Sequence, residues 1–144
     1  MSNGPLITTA EPAWRRVIVE SPYGHEQDHL VARNIAYLRA CMRDCVLRHE
    51  SPYASHGFLT QPGVLRDEVE SERALGIEAG FVWRRAADCA VFYTDLGVSR
   101  GMELALEACA LLQLPYQMRT LGDWQAEYEE RRRISRAKNI WCAA

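Results

Sequence analysis

The hydrophobic and polar positions of this chain follow two alternating patterns. Short, continuous apolar runs rich in β-branched residues are typical of strands buried on both faces of a parallel sheet. Longer stretches with apolar residues at every third or fourth position are typical of helices that cover such a sheet. The two patterns predict strands at 17–21, 89–94 and 115–119, and helices at 29–49, 69–86, 100–113 and 123–138.

The segment 51–63 carries two prolines and two glycines, which predicts a loop with a short strand near 53–55. Strands that alternate with helices imply an α/β fold with a parallel sheet and right-handed crossovers. We expect residues 14–144 to form one such domain, preceded by a flexible lead-in at 1–13 that is rich in small and polar residues.

The predicted topology also locates a binding site. In open parallel sheets, ligands bind beyond the carboxyl ends of the strands. This rule brings together the segments 20–25, 55–61 and 95–103, which follow three of the predicted strands. We therefore expect any functional site to be built from these three segments.

Composition narrows the class of partner. The chain has 17 basic and 19 acidic residues, so it lacks the positive charge that duplex DNA or RNA binding requires. No run of about 18 apolar residues predicts a membrane span, and the first residues lack the features of a signal peptide. The five cysteines are an odd number with no CxxC spacing, so we expect reduced thiols in a cytoplasmic protein.

Ser21 ends the first predicted strand, and Pro22, Tyr23 and Gly24 follow it directly. Small residues at a strand end let backbone N–H groups approach an anion, and the positive end of the next helix adds to this attraction. Tyr23 also offers an aromatic face and a hydroxyl group. The same residues would equally well form a tight turn without a ligand.

The strand at 89–94 leads into a loop and helix start that carry Ser99, Arg100, Gly101, Met102 and Glu103. Ser99 can cap the helix, which puts Glu103 in its first turn at the edge of the sheet where a ligand is expected. A carboxylate there can act on a bound ligand. Alternatively, it only complements the helix dipole.

His56 and Gln61 lie in the segment predicted to be mostly loop. An imidazole and an amide on one loop, near Tyr53, could stack on a nucleic-acid base and form hydrogen bonds with it. The alternative interpretation is a histidine on the protein surface.

Two further patterns favour a structural interpretation. Residues 25–29 match the HExxH pattern of zinc proteases. They lie at a strand-to-helix junction, whereas that motif needs the middle of a helix, so we interpret the match as coincidental and expect no metal. The mixed arginines and glutamates at 127–138 predict a solvated helix face with salt bridges.

These motifs resemble those of the nucleoside 2-deoxyribosyltransferase-like superfamily, which includes small nucleotide N-hydrolases and phage-associated proteins. The resemblance covers residues 16–119, and its most specific anchor is Gly101-x-Glu103-Leu104, where these enzymes carry a nucleophilic glutamate. The other anchors are Val19, Glu20, Ser21, Pro22 and Tyr23; Ser55 and His56; Glu72, Arg73 and Gly76; Ala87 and Asp88; and Ser99 and Arg100.

The resemblance implies a flavodoxin-like three-layer fold with a four- or five-stranded parallel sheet. It also implies a homodimer or larger homo-oligomer, no metal or organic cofactor, and a nucleoside or nucleoside 5′-monophosphate whose N-glycosidic bond is hydrolysed or exchanged. Glu103 matches the nucleophile, Tyr23 matches the tyrosine near the sugar, and Ser99 with nearby amides would hold a 5′-hydroxyl or 5′-phosphate. The remaining substrate-binding candidates are Ser21, Pro22, Gly24, His56, Gln61, Arg100, Gly101 and Met102.

One residue of the family pattern is missing. Catalytic relatives place an aspartate about two helical turns before the Ala-Asp that opens the central strand, and this chain has Gly80 there. Asp95, beside the end of that strand, is the candidate to take its place. The group that protonates the leaving base stays open. A nucleotide-binding module without catalytic activity is therefore the second hypothesis.

Overall fold

The structure is a computed structural model that describes residues 13–24 and 26–142. The predicted lead-in at 1–13 lies outside these residues except for its last position, and so does His25 of the HExxH match. The elements are β1 (Arg15–Glu20), α1 (Asp28–Leu47), β2 (Glu50–Tyr53), α2 (Ser55–Phe58), α3 (Glu70–Arg84), β3 (Cys89–Tyr93), α4 (Arg100–Leu112), β4 (Tyr116–Arg119) and α5 (Trp124–Cys142).

The strands form one parallel sheet in the order β2-β1-β3-β4. Within it, Arg15 of β1 lies opposite Glu50 of β2, and Val17 lies opposite Cys89 of β3. This order is that of the flavodoxin-like doubly wound sheet, in which the chain reverses direction of winding after its first two strands. The predicted α/β fold is confirmed, with a sheet of four strands in the described part of the chain.

Side chains of β1 and β3 alternate between the two faces of the sheet. On one face, Val17, Val19 and Val91 pack against residues of α1, together with Trp124 at the start of α5. On the other face, Ile18 and Phe92 pack against α4. Because helices cover both faces, these strands read as continuous apolar runs rather than alternating ones.

The segment predicted to be mostly loop differs from the prediction. The strand there is Glu50–Tyr53 rather than 53–55, and Ser55–Phe58 forms a short helix. Because β2 is an edge strand, it tolerates Pro52, which has no N–H to donate. Its first residue, Glu50, is a buried carboxylate, so the apolar signal that marks the central strands is missing from it.

Four of the five cysteines, Cys41, Cys45, Cys89 and Cys109, are buried and form no disulfide bond. Burial raises the pKa of each of these thiols, which keeps them protonated and unreactive. The side chain of Cys142 lies outside the described residues. The first four cysteines are therefore free thiols, as the sequence predicts, and all four are buried.

The last helix has the charged surface that the sequence predicts. Ion pairs join Glu127 to Arg131 at 3.5 Å and Glu130 to Arg133 at 2.7 Å, one helical turn apart. The helix extends to Cys142, beyond the predicted end at 138. In the part of the chain that the structure describes, no helix is long and apolar enough to cross a bilayer.

Candidate functional site

A cavity of about 330 Å³ opens at the carboxyl ends of β1 and β3, within the size range of small-molecule sites. The end of β1, the short helix α2, one side of α3 and the start of α4 form its walls. Apolar side chains of Leu59, Leu65, Ile77 and Phe81 line one part of it. Parts of all three predicted segments therefore meet around one cavity.

Ser21 and His56 form a hydrogen-bonded pair in this cavity. The Oγ of Ser21 lies 3.1 Å from Nε2 of His56, and the ring of Tyr23 meets the imidazole edge-on with 5.7 Å between ring centres. Burial, together with the positive charge of Arg84, lowers the pKa of His56 to about 4. The imidazole is therefore neutral at physiological pH and acts as a polar, uncharged group.

A buried ion pair lies in the same cavity. Glu20, the last residue of β1, accepts a hydrogen bond from Nη2 of Arg84, near the end of α3. Both residues line the cavity, and they are only 8% and 4% exposed. Burial raises the pKa of Glu20, and the guanidinium beside it opposes this rise. Arg84 also packs over the ring of Phe81, 5.0 Å from its centre.

The helix α4 begins at the cavity. The Oγ of Ser99 accepts a hydrogen bond from the amide of Met102 at 3.3 Å, as the capping role predicts. Gly101 and Met102 line the cavity with Ser99 and Arg100. The positive end of a thirteen-residue helix therefore faces the cavity and favours an anionic group there.

Glu103 lies at the rim rather than in the wall. Its carboxylate accepts a hydrogen bond from Nη1 of Arg100 at 3.0 Å, and its side chain is 53% exposed. Its neighbours Met102 and Leu104 both line the cavity, whereas Glu103 does not. In this conformation the candidate nucleophile is held beside the cavity by an arginine that belongs to the wall.

Asp95 is part of a different hydrogen-bond network, away from the cavity. Tyr37 of α1 donates a hydrogen bond to its carboxylate at 2.5 Å, and the amide of Leu121 donates to it at 2.9 Å. The amide of Asp95 in turn donates to the Tyr37 hydroxyl at 3.0 Å. These contacts join α1 to the loops that follow β3 and β4.

The predicted site residues thus fall into two groups. Those that line the cavity are Ser21, Tyr23, Gly24, His56, Ser99, Arg100, Gly101 and Met102. Those that do not are Pro22, Gln61, Asp95 and Glu103. Pro22 is buried, and Gln61 is exposed and donates its side-chain amide to the carbonyl of Phe58.

Sequence reasoning did not select several charged residues of the cavity wall. Asp67 is not among the predicted site residues, and Glu72 is named only as an anchor of the resemblance, but both line the cavity. Two hydrogen bonds from the guanidinium of Arg66 and one from its amide lower the pKa of Glu72. Glu20 is a carboxylate at the end of an apolar strand, and this position could have predicted that it lines the cavity. No sequence pattern links it to Arg84.

Every charged side chain that lines the cavity has a partner of opposite charge among the described residues. The pairs are Glu20 with Arg84, Glu72 with Arg66, Asp67 with Arg73, and Arg100 with Glu103. A ligand that pairs with one of these charged side chains must therefore compete with its present partner. The pair of Arg100 and Glu103 is the most exposed at both partners, so it is the easiest to open.

The sheet order and the cavity define an α/β domain with a cavity of small-molecule size at the carboxyl ends of its strands. Residues 15–119 match the family described as a domain of unknown function (DUF7768), and the chain belongs to this family. The matched region contains every segment that lines the cavity.

Among solved structures, the chain is similar to a 2-deoxyribosyltransferase from the psychrotolerant bacterium Bacillus psychrosaccharolyticus, with a TM-score of 0.51 and 15% sequence identity. The similarity covers 73% of this chain and 72% of that protein. That enzyme is described as a biocatalyst for the synthesis of antiviral and antitumoral nucleosides. At this identity the likeness supports the predicted fold. No curated protein matches the chain.

Proposed function

We propose that this protein binds a nucleoside or nucleoside 5′-monophosphate in the cavity and breaks its N-glycosidic bond, with Glu103 as the nucleophile. The observation that carries the proposal is the start of α4, where a capped helix end faces the cavity and a carboxylate follows in the first turn. The apolar wall formed by Leu59, Ile77 and Phe81 suits the flat face of a base.

The proposed chemistry needs a carboxylate beside the anomeric carbon. As the bond between C1′ and the base nitrogen breaks, its electron pair goes to the base, and C1′ acquires oxocarbenium character. The Glu103 carboxylate forms a bond to C1′ and gives a glycosyl-enzyme. Water, or a second base, then attacks C1′ and releases Glu103. Hydrolysis and base exchange share the first step and differ only in this acceptor.

Arg100 has a defined part in this proposal. A 5′-phosphate at the start of α4 would attract the guanidinium of Arg100, which now holds Glu103 at 3.0 Å. Because this ion pair is exposed, little free energy is lost when it opens. Binding of a phosphate would therefore free Glu103 to turn toward the sugar.

A second function is favoured by a specific observation. Glu103 does not line the cavity, and each charged group that does line it is already paired among the described residues. A protein that binds a nucleotide without cleaving it needs no free carboxylate. A non-catalytic nucleotide-binding or sequestering module is therefore the alternative.

The decisive experiment is chromatographic detection of free base. The protein is incubated with nucleosides and their 5′-monophosphates, ribo and deoxy, with and without an acceptor base. Glu103→Gln is compared with Glu107→Gln, an exposed glutamate one turn further along α4. We expect base release by the wild type and by Glu107→Gln, and a loss of about 10⁴-fold or more in Glu103→Gln.

Ligand affinity, measured by calorimetry on the same proteins, separates the two functions. The catalytic proposal requires Glu103→Gln to bind with nearly the wild-type Kd while its turnover is lost. Tight binding with no base release from any compound would establish the binding module. If no compound of the panel binds, both functions are wrong.

A further inference from the structure

Glu20 is an unusual residue for its position in the fold. It ends β1, a central strand whose residues Val17, Ile18 and Val19 are all buried and apolar. It is itself 8% exposed, and burial of a carboxylate in such surroundings is costly unless its oxygens find partners. The strand would be better packed by an apolar residue, so the carboxylate calls for a role beyond packing.

Among the residues that the structure describes, one of its two carboxylate oxygens has a partner and the other has none. Oε1 accepts a hydrogen bond from Nη2 of Arg84, whereas no residue that the structure describes donates to Oε2. Oε2 is not sealed in the protein interior, in contrast to Nε of Arg84, which is buried and has no hydrogen-bond partner. Because Glu20 lines the cavity, the free oxygen is available to a ligand there.

The neighbouring groups leave this acceptor to the ligand. The imidazole of His56, with its pKa of about 4, is neutral at physiological pH. It therefore forms no ion pair with the carboxylate of Glu20. The hydroxyl of Ser21 is already engaged with that imidazole at 3.1 Å. The cavity therefore presents a carboxylate oxygen, fixed by Arg84, that can accept a hydrogen bond and repels other acceptors.

We propose that Glu20 is a specificity-determining residue that accepts a hydrogen bond from an O–H or N–H donor of the ligand, with Arg84 as its positioning residue. This inference rests on the proposed function. Within a nucleoside, the donor is either a sugar hydroxyl that deoxyribose lacks or an amino group on the base. Both present the same chemistry to Oε2, and the experiment separates them.

The test compares matched ligand pairs that differ only in the donor. One pair consists of ribo- and 2′-deoxyribonucleoside monophosphates with the same base, and the other of the monophosphates of adenosine and of purine riboside, which lacks the amino group. Calorimetry gives the Kd of each for the wild type and for Glu20→Gln. We expect the wild type to prefer the donor-bearing member of one pair by about 10- to 100-fold. The pair that shows this preference identifies the donor.

In Glu20→Gln, Arg84 can still donate its hydrogen bond to the side-chain amide oxygen, and the amide nitrogen takes the place of Oε2. Since that nitrogen is a donor, the preference should disappear or reverse, while the ligand that lacks the donor binds no more weakly than before. A merely structural role of Glu20 would weaken both members of a pair equally. Equal preference in the two proteins, or none in the wild type, would overturn the inference and leave the proposed function intact. Failure of the wild type to bind any ligand would overturn both.

A second variant protects the test against misfolding. Removal of one charge of a buried pair leaves the other unpaired, which often destabilises a protein. Glu20→Met with Arg84→Met replaces the pair by apolar side chains of similar length, a change that many buried ion pairs tolerate. This double variant should fold and should also lack the preference. A folded double variant that keeps the wild-type preference would contradict the role of Glu20.

Discussion

Arg119, at the end of β4, donates hydrogen bonds to both carboxylate oxygens of Glu50, at the start of β2, over 2.7 and 2.8 Å. The side chains are 8% and 3% exposed, so the pair is almost fully removed from solvent. Arg15 donates a further hydrogen bond to Glu50 at 2.6 Å. The contact joins the two edge strands of the sheet, which share no backbone hydrogen bond.

Stability at acid pH should depend on Glu50. The two arginines lower its pKa from 4.5 to about 2 in the folded chain. Its stabilising contribution is therefore complete above about pH 4.5 and is lost as the pH falls toward 2. Glu50→Gln should reduce the free energy of unfolding at pH 7 by about 3–5 kcal/mol. The free energy of unfolding of this variant should also fall less steeply between pH 4.5 and pH 2. Urea denaturation at a series of pH values measures both. Glu130→Gln, which removes a solvent-exposed ion pair, should change the free energy of unfolding much less than Glu50→Gln does. An equally steep decline in Glu50→Gln would contradict the assignment.

His56 should make the stability of the protein depend on pH in a higher range than Glu50 does. The unfolded chain binds a proton on this ring near pH 6.5, whereas the folded chain does so near pH 4. Because the unfolded state takes up the proton first, stability falls as the pH drops through this window and levels off below it. His56→Asn should show a smaller fall between pH 6.5 and 4 in the same denaturation series. If the free energy of unfolding depends on pH in the same way in the wild type and in His56→Asn, the pKa of His56 is not lowered in the folded chain.

Asp95 should matter for stability through its contacts with Tyr37 and Leu121. Asp95→Asn removes a charged acceptor from both donors and should lower the free energy of unfolding by about 1–3 kcal/mol. Ligand affinity should stay within about twofold of wild type, because Asp95 does not line the cavity. Denaturation and calorimetry on one protein sample measure both. Loss of turnover with unchanged stability would instead assign Asp95 to catalysis.

Arg100 should distinguish phosphorylated from unphosphorylated ligands. If a 5′-phosphate draws Arg100 away from Glu103, Arg100→Gln should weaken the binding of a nucleoside 5′-monophosphate by about tenfold. The parent nucleoside should bind as it does to the wild type. Calorimetry with the two ligands gives the comparison, and Arg131→Gln on α5 serves as a control for loss of one positive charge. Equal weakening of both ligands would rule out phosphate recognition by Arg100.

The contact between α2 and α3 requires a glycine. A Cβ at Gly80 would lie 2.6 Å from Oγ and 2.8 Å from Cβ of Ser55, which is closer than such atoms approach in proteins. Gly80→Ala should therefore lower stability by about 1–3 kcal/mol, although alanine favours the helix. Gly76→Ala, four residues earlier, would place its Cβ 3.3 Å from a flexible leucine methyl group and should be neutral or stabilising. Thermal unfolding compares the two variants, and similar values for both would contradict this packing.

The sequence predicts the central strands well, because burial on both faces determines which residues they contain. The central strands β1 and β3 are buried on both faces, so Val17, Val19 and Val91 produce an unmistakable apolar run. The edge strand β2 is not predictable in this way. Its first residue, Glu50, is held by an arginine 69 residues further along the chain, and no local pattern reports such a contact.

The location of the cavity was also predictable, but the contacts of the residues around it were not. The topology rule brings Ser21, His56 and Ser99 to one cavity, as the structure shows. An acid at a strand end looks the same in sequence whether it faces a ligand or a tyrosine, which is why Asp95 was a catalytic candidate. The pairing of Glu20 with Arg84 spans 64 residues and depends on packing alone.

The cavity receives no lining side chain from β4 or α5 in the part of the chain that is described. A bound ligand would therefore protect backbone amides of β1, α2, α3 and α4 from hydrogen exchange more strongly than those of α5. The exposed surface of the last helix is therefore a suitable place for a fluorescent label. A probe attached there would not obstruct the entrance to the cavity.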